Sequence, residues 1–200
     1  MQRASNYQCC DASQGCIVTK ENPVPGEGPV PADVMFVGEA PTSSAQTQGR
    51  PFPDDIGSAG HYLQSWFNYL GLNRDEIYVT NVIKCPKRRG VKAPTFDAQA
   101  NACWRWLDAE ILRVKPKLVV ALGETAQKRF CGQLPGSHDS VYGRIWDRYP
   151  SAGSRKVRSG ITFYSCLHPS WLNGPLGRNP VKDEVILRYL DELRQILDSL

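Results

Sequence analysis

The stretch Val34-Met-Phe-Val-Gly-Glu-Ala-Pro41 decides the fold. Its first four residues, Val34 to Val37, are apolar without alternation, the pattern of a short strand buried on both faces. A Gly-Glu-Ala-Pro turn follows at once, so the strand delivers a polar loop at its carboxyl end. Three further runs repeat the arrangement. Ile77 to Val82 opens into Lys84-Cys-Pro-Lys-Arg-Arg89, Leu118 to Leu122 into Gly123-Glu-Thr-Ala126, and Ile161 to Cys166 into Leu167-His-Pro-Ser170.

Helical spacing fills the intervals. Leu63, Trp66, Phe67 and Leu70 share a face that ends at Gly71. Thr95 is placed to cap a long helix carrying Phe96, Ala100, Cys103, Leu107, Ile111 and Val114 before Pro116 blocks it. Gly123-Glu-Thr-Ala126 begins another, and Asn179-Pro180 caps a last one with Ile186, Leu190, Leu193, Leu197 and Leu200 in register. Strands alternating with helices imply an α/β fold, a three-layer α/β/α sandwich around a mostly parallel four-stranded sheet. Residues 132–160 resist assignment beyond a short hairpin or helical turn around Tyr142 to Tyr149. The first 31 residues read as an extended arm, because Asn22-Pro-Val-Pro-Gly-Glu-Gly-Pro-Val-Pro31 sustains neither helix nor interior strand.

At 200 residues one domain over the whole chain is expected, and 41% hydrophobic with 22% charged residues excludes a disordered or membrane-spanning chain. A net charge of +4 permits a polyanionic partner without requiring one. Met1 to Cys16 holds no apolar run of the length a secretory signal needs, so an intracellular, cytoplasmic, reducing setting is expected. There, the seven cysteines at 9, 10, 16, 85, 103, 131 and 166 suit metal ligands, catalytic groups or buried small side chains better than disulfides.

In parallel sheets ligands bind beyond the carboxyl ends of the strands, where this chain places Glu39, Asn81 and His168. The chain has no phosphate-binding Gly-x-x-x-x-Gly-Lys loop, no Gly-x-Gly-x-x-Gly, no His-Glu-x-x-His and no Gly-x-Ser-x-Gly. Four segments in order carry a likeness instead. They are VMFVGEAP followed by GRPF, YVTNVIKC followed by a basic loop and APTFDAQANAC, PKLVVALGETA, and HPSW.

Together, from Gly26 to Ser170, the chain resembles the uracil-DNA glycosylase superfamily, most closely its iron-sulfur branch, family 4. The resemblance implies excision of uracil from DNA to leave an abasic site. It implies a base pocket of Gly38, Ala40, Phe52 and Asn81, with Glu39 and His168 as catalytic groups. The chemistry of these residue types agrees. One carboxamide donates to O4 of uracil and accepts from its N3–H, whereas cytosine presents the reversed pattern. Phe52 suits stacking on an extruded base, His168 a hydrogen bond to O2 as the leaving base becomes anionic, and Glu39 the orientation of water or offset of a sugar cation.

The chain departs from the family where further acidic residues usually follow Gly-Glu-x-Pro. Thr42-Ser-Ser-Ala-Gln46 stands there, with Asp54 and Asp55 as possible substitutes. Cys85 and Cys103 are implied cluster ligands, joined by Cys16 and by Cys10, or Cys9 in its place. Four thiolates suit zinc too, but the resemblance implies a 4Fe-4S cluster of structural role. Cys131 and Cys166 read as buried small residues, with Cys166 as a remote candidate for a catalytic thiol.

Lys84, Lys87, Arg88, Arg89 and Lys92, five cations within nine positions, suit DNA phosphates. After His-Pro-Ser, the resemblance adds Ser170, Arg178 and a wedge, Trp171 or Leu172, as DNA contacts. A monomer acting on uracil-containing DNA, with no membrane partner, is the expectation. Its competitors are a protein that binds or covalently traps uracil-DNA with weak hydrolysis, a glycosylase for another deaminated base such as hypoxanthine, and a non-enzymatic cluster protein.

Overall fold

The computed structural model describes residues 23–86, 93–131, 145–146, 161–172 and 180–200. The elements are β1 (Val34–Gly38), α1 (Ser43–Gln48), α2 (Ala59–Leu70), β2 (Tyr78–Asn81), α3 (Ala93–Val114), β3 (Leu118–Leu122), α4 (Gly123–Cys131), β4 (Ile145–Trp146), β5 (Thr162–Cys166), a 3-10 turn (Pro169–Leu172) and α5 (Pro180–Leu197). The sheet order is β2-β1-β3-β5-β4. The four expected strands are mutually parallel, and the two-residue β4 adds an antiparallel edge from within the unassigned stretch.

Successive side chains of β1 enter opposite cores. Val34 and Phe36 meet α2 and α5, through Leu63, Trp66, Phe67, Leu190 and Leu193. Met35 and Val37 meet α3 and α4, through Cys103, Leu107, Ile111, Ala126 and Phe130. Each fully buried Leu, Ile or Phe stabilises the sandwich by roughly 1.5 to 3 kcal/mol. Both faces are therefore covered, which explains a strand pattern without alternation.

The ends of elements depart from the sequence reading where local caps decide. α3 starts at Ala93, two residues before Thr95, with Pro94 in its first turn. Leu200 lies beyond α5 and is 44% exposed. α1 has no apolar stripe to announce it and buries only Ala45; Thr42 accepts from the Ala45 N–H at its start, and Gly49 closes it at φ 65°. The arm, from residue 23 onward, lies along the free edge of β2, where Glu27 and Val79 exchange backbone hydrogen bonds of 2.8 and 2.9 Å. Among the described residues, no helix is long and apolar enough to cross a membrane.

Candidate active site

The chain leaving β1 runs to β2 on one side, whereas the chain leaving β3, the neighbour of β1 on the other side, runs on towards β5, so the connections diverge at the carboxyl ends of β1 and β3, where ligands bind in such sheets. Asn81 ends β2 in register with Gly38 of β1. It is 1% exposed, and neither Oδ1 nor Nδ2 has a hydrogen-bond partner among the described residues. A buried amide left unmatched costs roughly 1 to 3 kcal/mol per group, so the fold carries Asn81 at a loss. Gly38 is what gives it room: a Cβ there would stand 2.7 Å from Asn81 Oδ1 and overlap Phe52 Cζ.

Phe52 occupies the left-handed region at φ 49°, a conformation that costs a non-glycine residue about 1 to 2 kcal/mol. The turn is held from outside, by the Arg74 guanidinium, which donates to the Pro51 carbonyl at 2.5 Å and pairs with Glu27. The result is a phenyl ring against Gly38 whose centroid lies 5.9 Å from that of His168. His168 follows β5 and abuts the start of α4, where Gly123 sits at φ 83° and a Cβ would come 2.8 Å from His168 Cβ.

The imidazole's tautomer follows from its neighbours. The Ser170 N–H donates to Nδ1 at 3.2 Å, and Ser170 Oγ lies 2.7 Å from the same nitrogen. Nδ1 is thus an acceptor, and the neutral ring carries its proton on Nε2. Burial holds the pKa below its ordinary value of 6.5, partly offset by the Glu39 carboxylate. The unfolded chain therefore binds this proton more readily, and the stability linked to a neutral His168 is present above about pH 6.5 and lost as pH falls through the folded value. Acidification from about pH 8 to about pH 5 is expected to lower the melting temperature more in wild type than in His168→Gln. Parallel melting curves across that range would show that the ring is not held neutral.

Glu39 accepts a 2.6 Å hydrogen bond from Thr125 Oγ1 in the first turn of α4, and its backbone carbonyl accepts from the Ile83 N–H. Thr125 was visible in the sequence only as a hydroxyl in the helix start after β3. Ala40 packs on the core between the sheet and α3 and α4, leaving its main chain as what it offers a ligand. Asp54 pairs with His61, and Asp55 is exposed and bonded to Ser44 and Gln48 of α1. Those carboxylates serve α1 and α2. A separate cleft of about 640 Å³, lined by Glu27, Arg74, Asp75 and Arg113, sits where the chain enters β2 and shares no residue with Asn81, Phe52 or His168.

Lys84 is not a DNA contact. Its side chain is 1% exposed and its ammonium is bonded to Glu110, Thr80 and the Asn81 carbonyl, so it cannot reach a phosphate. Lys87, Arg88, Arg89, Lys92 and Arg178 lie outside the described residues, as do the side chains of Trp171 and Leu172 on the 3-10 turn. Ser170 is on that turn, with its hydroxyl directed to His168. Cys166 is no nucleophile: burial pushes its thiol up to about 12, away from the reactive thiolate.

Cys85 and Cys103 are both buried, one after β2 and one within α3. Cys9, Cys10, Cys16 and the side chain of Cys131 lie outside the described residues. The donor chemistry nevertheless fits a thiolate-bound centre. The described part of the arm is fastened beside Cys85 by a 2.6 Å bond from the Val24 N–H to the Lys84 carbonyl.

The same family assignment follows from comparison with known proteins. The family model described as the uracil DNA glycosylase superfamily matches residues 25–193. A Type-4 uracil-DNA glycosylase of Sulfurisphaera tokodaii is 38% identical over 125 residues, 61% of this chain and 54% of that protein. One of Thermotoga maritima is 35% identical over 157 residues, 78% of this chain and 73% of that protein. A Type-5 uracil-DNA glycosylase of Pyrobaculum aerophilum is 33% identical over 176 residues, 80% of this chain and 71% of that protein. The match spans about half the length of the Sulfurisphaera tokodaii protein. With the family model matched over residues 25–193, a span whose parallel sheet brings Gly38, Phe52, Asn81 and His168 together at the carboxyl ends of its strands, this chain belongs to the uracil-DNA glycosylase superfamily.

Proposed function

We propose that the chain is a DNA-repair glycosylase that hydrolyses the N-glycosidic bond of deoxyuridine in DNA, leaving an abasic site. The observation that carries this reading is the buried, unmatched Asn81 carboxamide beside an aromatic platform and a neutral imidazole. An extruded uracil stacks on Phe52, and Asn81 meets its O4 and N3–H edge. As the C1′–N1 bond breaks, its electrons pass into the base, and the Nε2–H of His168 meets the charge growing on O2. Glu39, steadied by Thr125, orients the water that forms the new C1′–O bond and takes up its proton.

Release of free uracil and formation of an alkali-labile abasic site, on an oligonucleotide with one uracil, tests the reading. An oligonucleotide with hypoxanthine in its place decides base preference. One observation favours a second reading. The stretch where the family usually carries further acids is α1, which has no carboxylate, and a uracil-DNA trapping protein would then bind the base with little hydrolysis. Stable binding without abasic sites would establish it.

Cys85 and Cys103, with Cys16 and either Cys10 or Cys9, are the residues that would hold a 4Fe-4S cluster. When bound it supplies a structural anchor between the arm and the sheet, with no redox turnover in base release. Iron and sulfide analysis after oxygen-free purification checks this, with zinc as the opposing result.

The basic loop supplies phosphate contacts. Replacing Arg88 and Arg89 by Ala is expected to weaken binding equally for all sequences and to reduce the salt slope by about two, one for each lost phosphate contact. An unchanged slope would remove this loop from the DNA footprint.

A further inference from the structure

A buried ion pair lies directly beneath the base-reading residue. Lys84 and Glu110 each have side chains 1% exposed, with Nζ and Oε2 2.7 Å apart. The ammonium spends its three donors on Glu110 Oε2, on Thr80 Oγ1 at 2.8 Å and on the Asn81 carbonyl at 2.6 Å. Glu110 accepts in addition from Thr80 Oγ1 at 2.8 Å and, through Oε1, from the Gly26 N–H at 3.0 Å. Three parts of the chain, namely the arm, the exit of β2 and the carboxyl-terminal turns of α3, converge on these two charges.

Burying such a pair costs about as much as its attraction returns, and well-packed apolar replacements are often equally stable or more so. Stability alone is thus a poor reason for its presence. Its geometry offers a better one. The parallel ladder ends at Asn81, and the carbonyl there is taken by a side chain three residues further on, which closes the Asn81–Lys84 turn. The Asn81 side chain has no hydrogen-bond partner of its own among the described residues, so its aim depends on where the main chain is fixed.

We propose that Lys84, with Glu110 as its counter-ion, is the positioning residue that aims the Asn81 carboxamide at the uracil edge. This rests on the reading of Asn81 as the base-reading group. Lys84 touches no substrate; it acts through Asn81.

The test is inhibition by free uracil, which probes the base pocket without DNA contacts, measured on the full-length protein beside its melting temperature. Lys84→Met/Glu110→Leu removes both charges together. It is expected to melt near the wild-type temperature while the inhibition constant rises at least tenfold, and to have no further effect on that constant in an Asn81→Ala background. An unchanged constant, or an additive effect in that background, would overturn the proposal. Glu110→Gln is the second variant, assayed below its own melting temperature, which is expected to fall because the buried ammonium loses its counter-ion. It retains the shape and the Lys84–Asn81 bond and is expected to keep the constant within threefold; a loss as large as that of Asn81→Ala would overturn the proposal. Were the wild-type protein itself neither to release uracil nor to be inhibited by it, the functional reading would fall and not this link.

Discussion

Asn81→Ala is expected to slow uracil release by about 100- to 1000-fold while leaving the melting temperature at or above that of wild type. The two halves of this result have one cause. The carboxamide is buried with neither end matched, so the folded protein bears a desolvation cost of roughly 1 to 3 kcal/mol for each group. Alanine removes that cost and gives up some packing, and the two changes oppose each other. In the complex the same amide makes one ordinary hydrogen bond and one to a base that becomes anionic. Together these are worth about 3 to 4 kcal/mol, which is the stated loss of rate. Single-turnover uracil release beside a thermal melt reads both quantities. A variant that loses stability and activity in proportion would make Asn81 a structural residue and empty the proposed pocket.

The strands and the layers were legible because burial on both faces leaves an unmistakable mark: Val34 to Val37 and Leu118 to Leu122 have no polar position to alternate with. Two of the strand ends were legible because an apolar run gives way there to a polar loop, with Glu39 after Gly38 and His168 after Leu167. Contacts set by distant residues were not. Lys84 stands in a run of cations and reads as part of a basic surface, yet its partner Glu110 is 26 positions away on α3, and only their meeting buries the charge. The left-handed turn at Phe52 is similarly hidden, because nothing in Arg50-Pro-Phe-Pro53 announces a guanidinium arriving from Arg74. α1 was missed because caps and not an apolar stripe define it, and β4 because two residues carry no period.

Gly38→Ala is expected to lower kcat/KM by at least about 100-fold, although it adds a single methyl group. Gly38 lies in a regular strand without a positive φ, so the backbone tolerates alanine and the consequence is purely steric. The new Cβ overlaps Phe52 Cζ and lies 2.7 Å from Asn81 Oδ1, both well inside van der Waals contact. Neither neighbour has an easy retreat. Asn81 is anchored by the ladder and by Lys84, and Phe52 hangs from a turn clamped by Arg74. The ring is therefore driven by about an ångström into the space meant for the base, a displacement of the size that costs about two orders of magnitude in rate. Overpacking of this kind also destabilises by about 1 to 3 kcal/mol, so the single variant does not separate a blocked pocket from a loosened fold. Gly38→Ala/Phe52→Ala compared with Phe52→Ala does: once the ring is gone the added methyl is expected to lower the melting temperature less than it does in wild type, while both variants leave the base without its platform and stay low in activity. Recovery of activity together with stability would show that Phe52 fills the core and does not hold a base.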